Sequence, residues 1–357
     1  MRSNLKNSLY GASGFIFPVA VGLITTPYIV QKLTPEIYGI YVLAISLIGL
    51  MTFLDLGFGQ GIIKFVSHYE ARGEYYNRIN DIVNTTLVIN LIMGMIGGTI
   101  IFLLADIFAT KVFNINEKHR ELAALSFKIV SVGFILNLVS STFSNIPRAL
   151  QRYDISVRIQ NTIWFLSVMS SVCLLYLGYG LSEMLFFYIV FQFFGLLFYY
   201  RYSKNLLPRW NLSLSFKKDV FNEIFSFSIF TAINSITGNI VFRVDKMIIA
   251  HYLGTSAVTY YQIPFMLSQM ANGFVSSIIQ FLFPSVSFLN SAGDKENLKR
   301  LYLKTMRYVI AISLIIFSGL VIYGKPFLAI WIGKDIANIS YPLMVVISSV
   351  FFFISVS

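Results

Sequence analysis

Charge is what this sequence has least of. Only 12% of its 357 residues are Asp, Glu, Lys or Arg, while 56% are hydrophobic and 16% aromatic, and the mean hydropathy is +0.72. A soluble domain solvates its surface with about 25% charged residues, so water is not this protein's principal solvent. Cysteine is nearly missing. A lone Cys173 excludes any disulfide within the chain. The three histidines, His68, His119 and His251, are scattered, and no H-E-x-x-H or Cys/His metal cluster forms around them. No G-x-x-x-x-G-K-[ST] loop is present, which removes nucleotide hydrolysis by that route. Nor does a nucleophile–base constellation emerge. These absences point away from an enzyme, and they call for no cofactor and no metal.

Long apolar runs are what the chain has instead. Ser8–Val30, Ile37–Phe58, Ile82–Phe108, Leu122–Ile146, Ile159–Tyr179 and Met184–Tyr202 come first, then Ile224–Leu253, Val258–Pro284, Met306–Trp331 and Tyr341 onward. A membrane helix needs roughly 20 such residues. The glycines, prolines and serines inside the runs are tolerated in membrane helices. The expectation is an all-α integral membrane protein of about ten transmembrane helices. The tenth span stops at Ser357 with no polar anchor behind it, which favours a chain shortened at its C-terminus. The first span carries no cleavage signature and is too long for a signal-peptide core, so it stays as a helix.

Basic residues give the topology. Assigned to alternate sides of these spans, 18 of the 27 lysines and arginines fall on the side of the N-terminus, among them Lys64, Arg148, Arg209 and Arg300. Seven fall opposite, and Arg243 and Lys246 lie inside span 7. Basic loops are retained in the cytoplasm, so the N-terminus is expected inside. The net charge of +11 is then a matter of topology, and nucleic acid is not a partner.

The spans repeat. Shifted by 220 residues, spans 1–2 align with spans 7–8 without a gap, with 13 identities in 70 positions, including Ile29/Ile249, Tyr41/Tyr261 and Gln60/Gln280. In a polar loop, Gly73-Glu74 meets Gly293-Asp294. A period of six spans returns the chain to the same side, giving parallel repeats about an axis along the membrane normal. Two pseudo-symmetric six-helix lobes are expected: residues 1–203, a cytoplasmic linker 204–221, and an incomplete second lobe 222–357. A basic stretch at 288–303, with Leu298, Leu301 and Tyr302 against Lys295, Lys299 and Arg300, reads as an interfacial segment.

Polar residues inside the spans are ordered. In span 7, Ser228, Thr231, Ser235, Asn239, Arg243 and Lys246 are spaced three or four apart and share one helix face. A charge at the bilayer centre costs roughly 2.5–3.5 kcal/mol and normally faces the bundle interior or water. The face reads as the cationic wall of a hydrated cavity, with Arg243 a fork suited to phosphate oxygens. The competing reading has Lys246 and Asp245 reaching for the outer headgroups and Arg243 paired to Asp245. Span 8 carries Gln262, Gln269, Asn272, Ser276 and Gln280; span 4 carries Gly133, Asn137, Ser141, Ser144 and Arg148. Uncharged stripes of this kind serve either as pathway lining or as helix–helix glue. Arg148 is a candidate for greeting phosphate at the cytoplasmic entrance, or an ordinary topogenic arginine. Asp55, opening the run Asp55-Leu56-Gly57-Phe58-Gly59, is a candidate ion or proton site, or the cap of a break in the helix. In span 1, Gly11, Gly14, Pro18, Gly22 and Thr25 form a small-residue seam for close helix approach.

The segment Leu33-Thr34-Pro35-Glu36-Ile37-Tyr38-Gly39, followed by Asp55-Leu56-Gly57, resembles the start of the polysaccharide transporter family, the Wzx-type flippases of O-antigen and capsule repeat units in the MOP exporter superfamily. Asp245-Lys246-Met247-Ile248-Ile249 with Val258-Thr259-Tyr260-Tyr261 resembles that family's junction of helices 7 and 8. The resemblance implies a MATE-like bundle in the bacterial inner membrane that moves undecaprenyl-diphosphate-linked oligosaccharide to the periplasmic leaflet. It implies alternation between inward- and outward-open states driven by H+ or Na+, with membrane lipids around the bundle and a polysaccharide polymerase as a partner. Substrate contact would fall to Arg243, Lys246, Asn239, Ser235, Arg148, Gln269 and Asn272, and ion coupling to Asp55 and Asp245. Members usually have 12 or 14 helices, so ten departs from the pattern. The alternatives are another exporter of the superfamily, for lipid II or drugs; a membrane polymerase or acyltransferase; and a scaffold that transports nothing. A drug-cation exporter would want acidic cavity residues, and a polymerase a larger outward loop than Thr110–Glu121.

Overall fold

The structure is a computed structural model that describes residues 2–72, 76–291 and 293–356; the side chains at 2–15, 51–52, 72, 230, 234–241, 278–285, 287–288 and 290–291 are left aside. Within those residues the chain is helical throughout, with no strand. The helices are α1 (Arg2–Met51), α2 (Phe58–Arg72), α3 (Tyr76–Ile107), α4 (Glu117–Ala149) and α5 (Tyr153–Tyr176). There follow α6 (Leu181–Leu206), α7 (Lys218–Leu253), α8 (Thr255–Ser291), α9 (Lys295–Trp331) and α10 (Lys334–Val356). Helices are the open-chain solution to an apolar solvent, because each satisfies its own backbone hydrogen bonds.

Among the described residues, 7 helices are long and apolar enough to cross a membrane. The first of these, Ile16–Asp55, runs for 40 residues and holds the first two expected spans end to end. Thr34 marks the joint: its φ of 70° and ψ of 156° break the helix inside α1. It precedes Pro35, whose ring disfavours the helical conformation in the residue before it. Helices α7 and α8, of 36 and 37 residues, correspond to the seventh and eighth spans and stand outside the seven. The basic stretch near Lys295 is not a separate interfacial piece. Asp294 caps α9 by accepting the Asn297 amide at 3.1 Å, and Leu298 to Tyr302 form the first turns of a continuous 37-residue helix. A good cap followed by an unbroken apolar run leaves nothing to stop the helix there.

A second break separates α1 from α2. The 3-10 turn Thr52–Asp55 ends in Leu56 (φ 46°) and Gly57 (φ 77°). Glycine is required here twice over. Its φ is left-handed, and a Cβ would lie 2.7 Å from the Ser228 carbonyl of α7 and overlap the Thr231 hydroxyl.

Contacts gather the chain into two compact units, one of residues 32–258 and one of residues 1–31 with 259–357. In the first, α4 lies against α2, α3, α5 and α6, and α7 lies against α2 and α3. Gly94 and Gly98 let α3 approach α4 so closely that a Cβ at Gly94 would touch the Ile135 backbone at 3.4 Å. Phe58, Ile62, Val83, Phe143, Ile146, Trp210 and Ile224 belong to its core. In the second, Gly22 brings α1 against Met270 of α8, and Trp331 Nε1 donates to the Leu23 carbonyl at 2.7 Å. Leu103, Ile315, Ile330 and Phe353 are among many large apolar side chains left bare on the outside. Such a surface needs lipid around it. This is a multi-pass membrane protein.

Candidate functional site

Helix α7 opens as structure. Ser228 is buried and donates to the Gly57 carbonyl at 3.2 Å, and Thr231 donates to the Ser228 carbonyl at 2.8 Å. The upper part of its polar face thus fastens α7 to the turn before α2. The middle of the stripe, Ser235 and Asn239, falls outside the described side chains.

The far end carries the charges. Lys246 is only 5% exposed; its Nζ donates to the Phe242 carbonyl at 2.7 Å and stands 3.9 Å from Asp245 Oδ1. Arg243 is half-buried, and its guanidinium lies where a Cβ on Gly49 of α1 would be. Gly49 therefore makes the room that Arg243 occupies. Two cations and one carboxylate are held on the last turns of this helix, where the sum of their charges favours an anion.

A second polar centre lies in the same unit, on the turn before α2 and on α3 and α4. The Asp55 carboxylate hydrogen-bonds the Gly59 amide and the Ser141 hydroxyl. Asn145 Nδ2 sits beside Gly59, at 2.6 Å from where its Cβ would be. Asn145 Oδ1 in turn accepts from Arg148 at 3.5 Å. Arg148 also donates to Ser156 at 3.1 Å and Gln160 at 3.4 Å. All three partners are neutral, and among the described residues Arg148 makes no ion pair. On the other side, Asn90 of α3 donates to Ser141 at 3.2 Å and to Thr142 at 2.9 Å. Gly59 thus has Asn145 Nδ2 and Asp55 Oδ2 on one side, at 2.6 and 3.5 Å from where its Cβ would be.

Other expected residues are placed elsewhere. Gln269 is exposed on α8, and Asn272 accepts from Ser355 of α10 at 3.0 Å, both in the unit of residues 259–357. The side chain of Gln280 is outside the described set, as is the Gly73-Glu74 end of the repeat alignment. Cys173 is exposed on α5. No group of His, Cys, Asp or Glu among the described residues could hold a metal. Sequence reasoning missed Gly49, Asn90 and Asn145. The two asparagines lie within apolar spans, a costly place for an amide, and that was the available signal.

The family described as polysaccharide biosynthesis protein matches residues 30–340. The chain belongs to that family. It is 22% identical over 354 residues to the "Putative O-antigen transporter" of Shigella flexneri, covering 98% of this chain and 82% of that one. It is 25% identical over 359 residues to the uncharacterized membrane protein EpsK of Bacillus subtilis (strain 168), covering 93% of this chain and 66% of that one. Among solved structures it is similar to an inward-facing multidrug resistance MATE transporter of the MOP superfamily. The TM-score is 0.76 at 12% identity, covering 96% of this chain and 81% of that one. It is also similar to a Pyrococcus furiosus MOP transporter, at 0.59 and 12%, over 98% and 82%. The fold is MATE-like.

Proposed function

We propose that this chain is a flippase for undecaprenyl-diphosphate-linked oligosaccharide, an O-antigen or capsule repeat unit, in the bacterial inner membrane. Its N-terminus lies in the cytoplasm, and lobes 1–203 and 222–357, joined by 204–221, expose the substrate path alternately to the two faces. The observation that supports this reading is the pair Arg243, half-buried, and Lys246, 5% exposed, three residues apart on one helix. Family membership and the MATE-like fold support it. No enzymatic step is needed.

The diphosphate is the part of such a substrate that resists crossing, because its charge must leave water. Arg243 supplies a planar fork for paired phosphate oxygens, and Lys246 adds a second positive charge, tempered by Asp245. Arg148, held by neutral partners, offers a further unpaired cation near the cytoplasmic side. Ser235, Asn239, Gln269 and Asn272 suit the hydroxyls of the sugars. Asp55 and Asp245 are the carboxylates through which H+ or Na+ would be coupled. A polymerase would take up the delivered repeat units. An exporter of organic cations would gain nothing from this balance of charge.

The test is complementation of a strain lacking its own flippase. Arg243→Ala abolishes surface polysaccharide and leaves the amount of protein in the membrane unchanged. Normal polysaccharide in that variant would remove Arg243 from the mechanism.

A further inference from the structure

The chain between α6 and α7 has two unlike faces. It runs without helix or turn from Asn211 to Lys217, and its odd-numbered residues are bonded to α3. The Asn211 amide donates to Asn80 at 2.9 Å, the Ser213 amide to Asn84 at 3.3 Å and the Lys217 amide to Thr85 at 3.2 Å. The hydroxyls of Ser213 and Ser215 meet at 3.1 Å, so these two side chains share a face. Successive side chains of an extended chain turn to opposite faces. The even-numbered residues are Leu212, Leu214 and Phe216, and they are 51%, 73% and 51% exposed.

An apolar ridge left bare on a well-fastened segment marks a surface that something covers. Its flanks say what. From Arg209 to Lys218 the sequence carries three cations, Arg209, Lys217 and Lys218, and no carboxylate. All three are exposed, and among the described residues none makes an ion pair. Arg209 lies over the Tyr76 ring at 4.5 Å, which leaves its charge unmatched. The carboxylates that follow, Asp219 and Glu223, are both taken by Arg78. The bonds to Asn84 and Thr85 also set the height of the ridge. They hold it beside the start of the apolar run of α3, which opens at Ile82. The amides of Leu212, Leu214 and Phe216 make no hydrogen bond among the described residues. A hydrocarbon interior would not tolerate that, whereas the hydrated headgroup zone satisfies it.

We infer that Leu212, Leu214 and Phe216, with Arg209, Lys217 and Lys218, form a docking surface for anionic phospholipid of the bilayer. The apolar side chains enter the edge of the acyl region while the cations meet the phosphates. Buried apolar area and attraction to anionic headgroups add in such a contact. A zwitterionic bilayer offers only the first. An acidic protein would match the charge, but nothing would place it at the level where the apolar run of α3 begins. The surface is separate from the polar face of α7, and docking of lipid here does not depend on what the protein transports.

The experiment places a nitroxide on single cysteines of the full chain: Leu212→Cys, Leu214→Cys or Ser215→Cys, each with Cys173→Ser. The protein is held in nanodiscs of phosphatidylcholine with a rising share of phosphatidylglycerol. Collision with oxygen, which concentrates in the bilayer, is compared with collision with a water-soluble nickel chelate. The labels at 212 and 214 pass from nickel to oxygen contact as phosphatidylglycerol rises, and come to lie about 5 Å or more below the phosphates. The label at 215 does not follow. Lys217→Gln with Lys218→Gln raises the phosphatidylglycerol share at half-change by about threefold or more. Leu212, Leu214, Lys217 and Lys218 are exposed, so their variants fold. Labels that stay open to nickel in every bilayer overturn the surface and leave the ridge to a protein partner. Equal immersion in phosphatidylcholine alone, or a double variant that behaves as wild type, overturns the preference for anionic lipid. Arg243→Ala, by contrast, bears only on the flippase reading.

Discussion

Two asparagines on α3, Asn84 and Asn90, are both wholly buried, and they are used in opposite ways. Asn84 Oδ1 accepts from Trp210 Nε1 at 3.1 Å and from the Ser213 amide at 3.3 Å, while its Nδ2 donates to the Asn211 carbonyl and Ser213 Oγ, each at 2.9 Å. Every hydrogen-bonding position is filled. Asn90 uses both N–H groups and leaves its oxygen bare. Around Asn84 the chain crosses from α6 to α7, and each bond fastens that crossing to α3: Asn80 takes the Asn211 amide at 2.9 Å, and Thr85 the Lys217 amide at 3.2 Å. A fully satisfied network rigidifies. An unsatisfied one is kept at a cost.

The largest effects should come from breaking the satisfied member. Asn84→Leu strands the buried Trp210 N–H, while the Ser213 amide and the Asn211 carbonyl belong to exposed residues and turn to water. A loss of about 1–3 kcal/mol in stability is expected, seen as a fall in the unfolding temperature and in the yield of folded protein. Asn90→Leu removes donors from two hydroxyls that keep their own protons occupied or free to turn. It should cost about 1 kcal/mol and leave a folded protein. Equal losses in the two variants would erase the distinction drawn between them.

A pair of glycines sharpens the same contrast at smaller scale. Gly57→Ala must hold alanine at a φ of 77° and push a methyl group at the α7 backbone. Strain of that kind costs about 1–3 kcal/mol, and the unfolding temperature falls accordingly. Gly49→Ala meets only the tip of a long side chain, the Arg243 guanidinium. The guanidinium can move, so stability changes by less than about 1 kcal/mol, yet surface polysaccharide drops because the arginine has moved. A normal level of polysaccharide in Gly49→Ala would show that the position of Arg243 against α1 does not matter.

Much of the architecture was legible without coordinates, and the reasons are physical. Apolar runs longer than a bilayer is thick leave little choice but helices, and the Asp55-Leu56-Gly57 run offered the break before α2 that the structure contains. The charged end of the α7 face was legible too, because Arg and Lys three residues apart in an apolar run are rare enough to stand out. What was not legible is which uncharged polar groups meet. Asn90 and Ser141 are 51 residues apart in sequence, and no periodicity within either helix reveals that their side chains touch. Gly49 was invisible for a similar reason: its meaning lies in Arg243, on another helix. The division of the 288–303 stretch between the end of α8 and the start of α9 was missed because amphipathic character describes a surface and does not end a helix.

The smallest expected effect lies at the surface beside the crossing from α6 to α7, and it tests whether satisfied surface bonds there add to those in the interior. Arg78 bridges Asp219 and Glu223, the latter at 2.5 Å, and Tyr69 donates to Glu223 at 2.8 Å. The Arg78 hydrogen bond holds the exposed Asp219 carboxyl below the usual carboxylate range. A carboxyl depressed in this way favours the folded state where it is ionised in both states, above the ordinary Asp pKa of about 4. That contribution is lost as pH falls through the lower, folded value. Wild type should therefore unfold at a slightly higher temperature than Asp219→Asn near pH 7, and the difference should shrink below about pH 4. Because the group is exposed, salt should also diminish it. A difference independent of both pH and salt would mean that Asp219 acts by shape alone, and that the crossing is fastened by Asn84 and Trp210 without help from its charges.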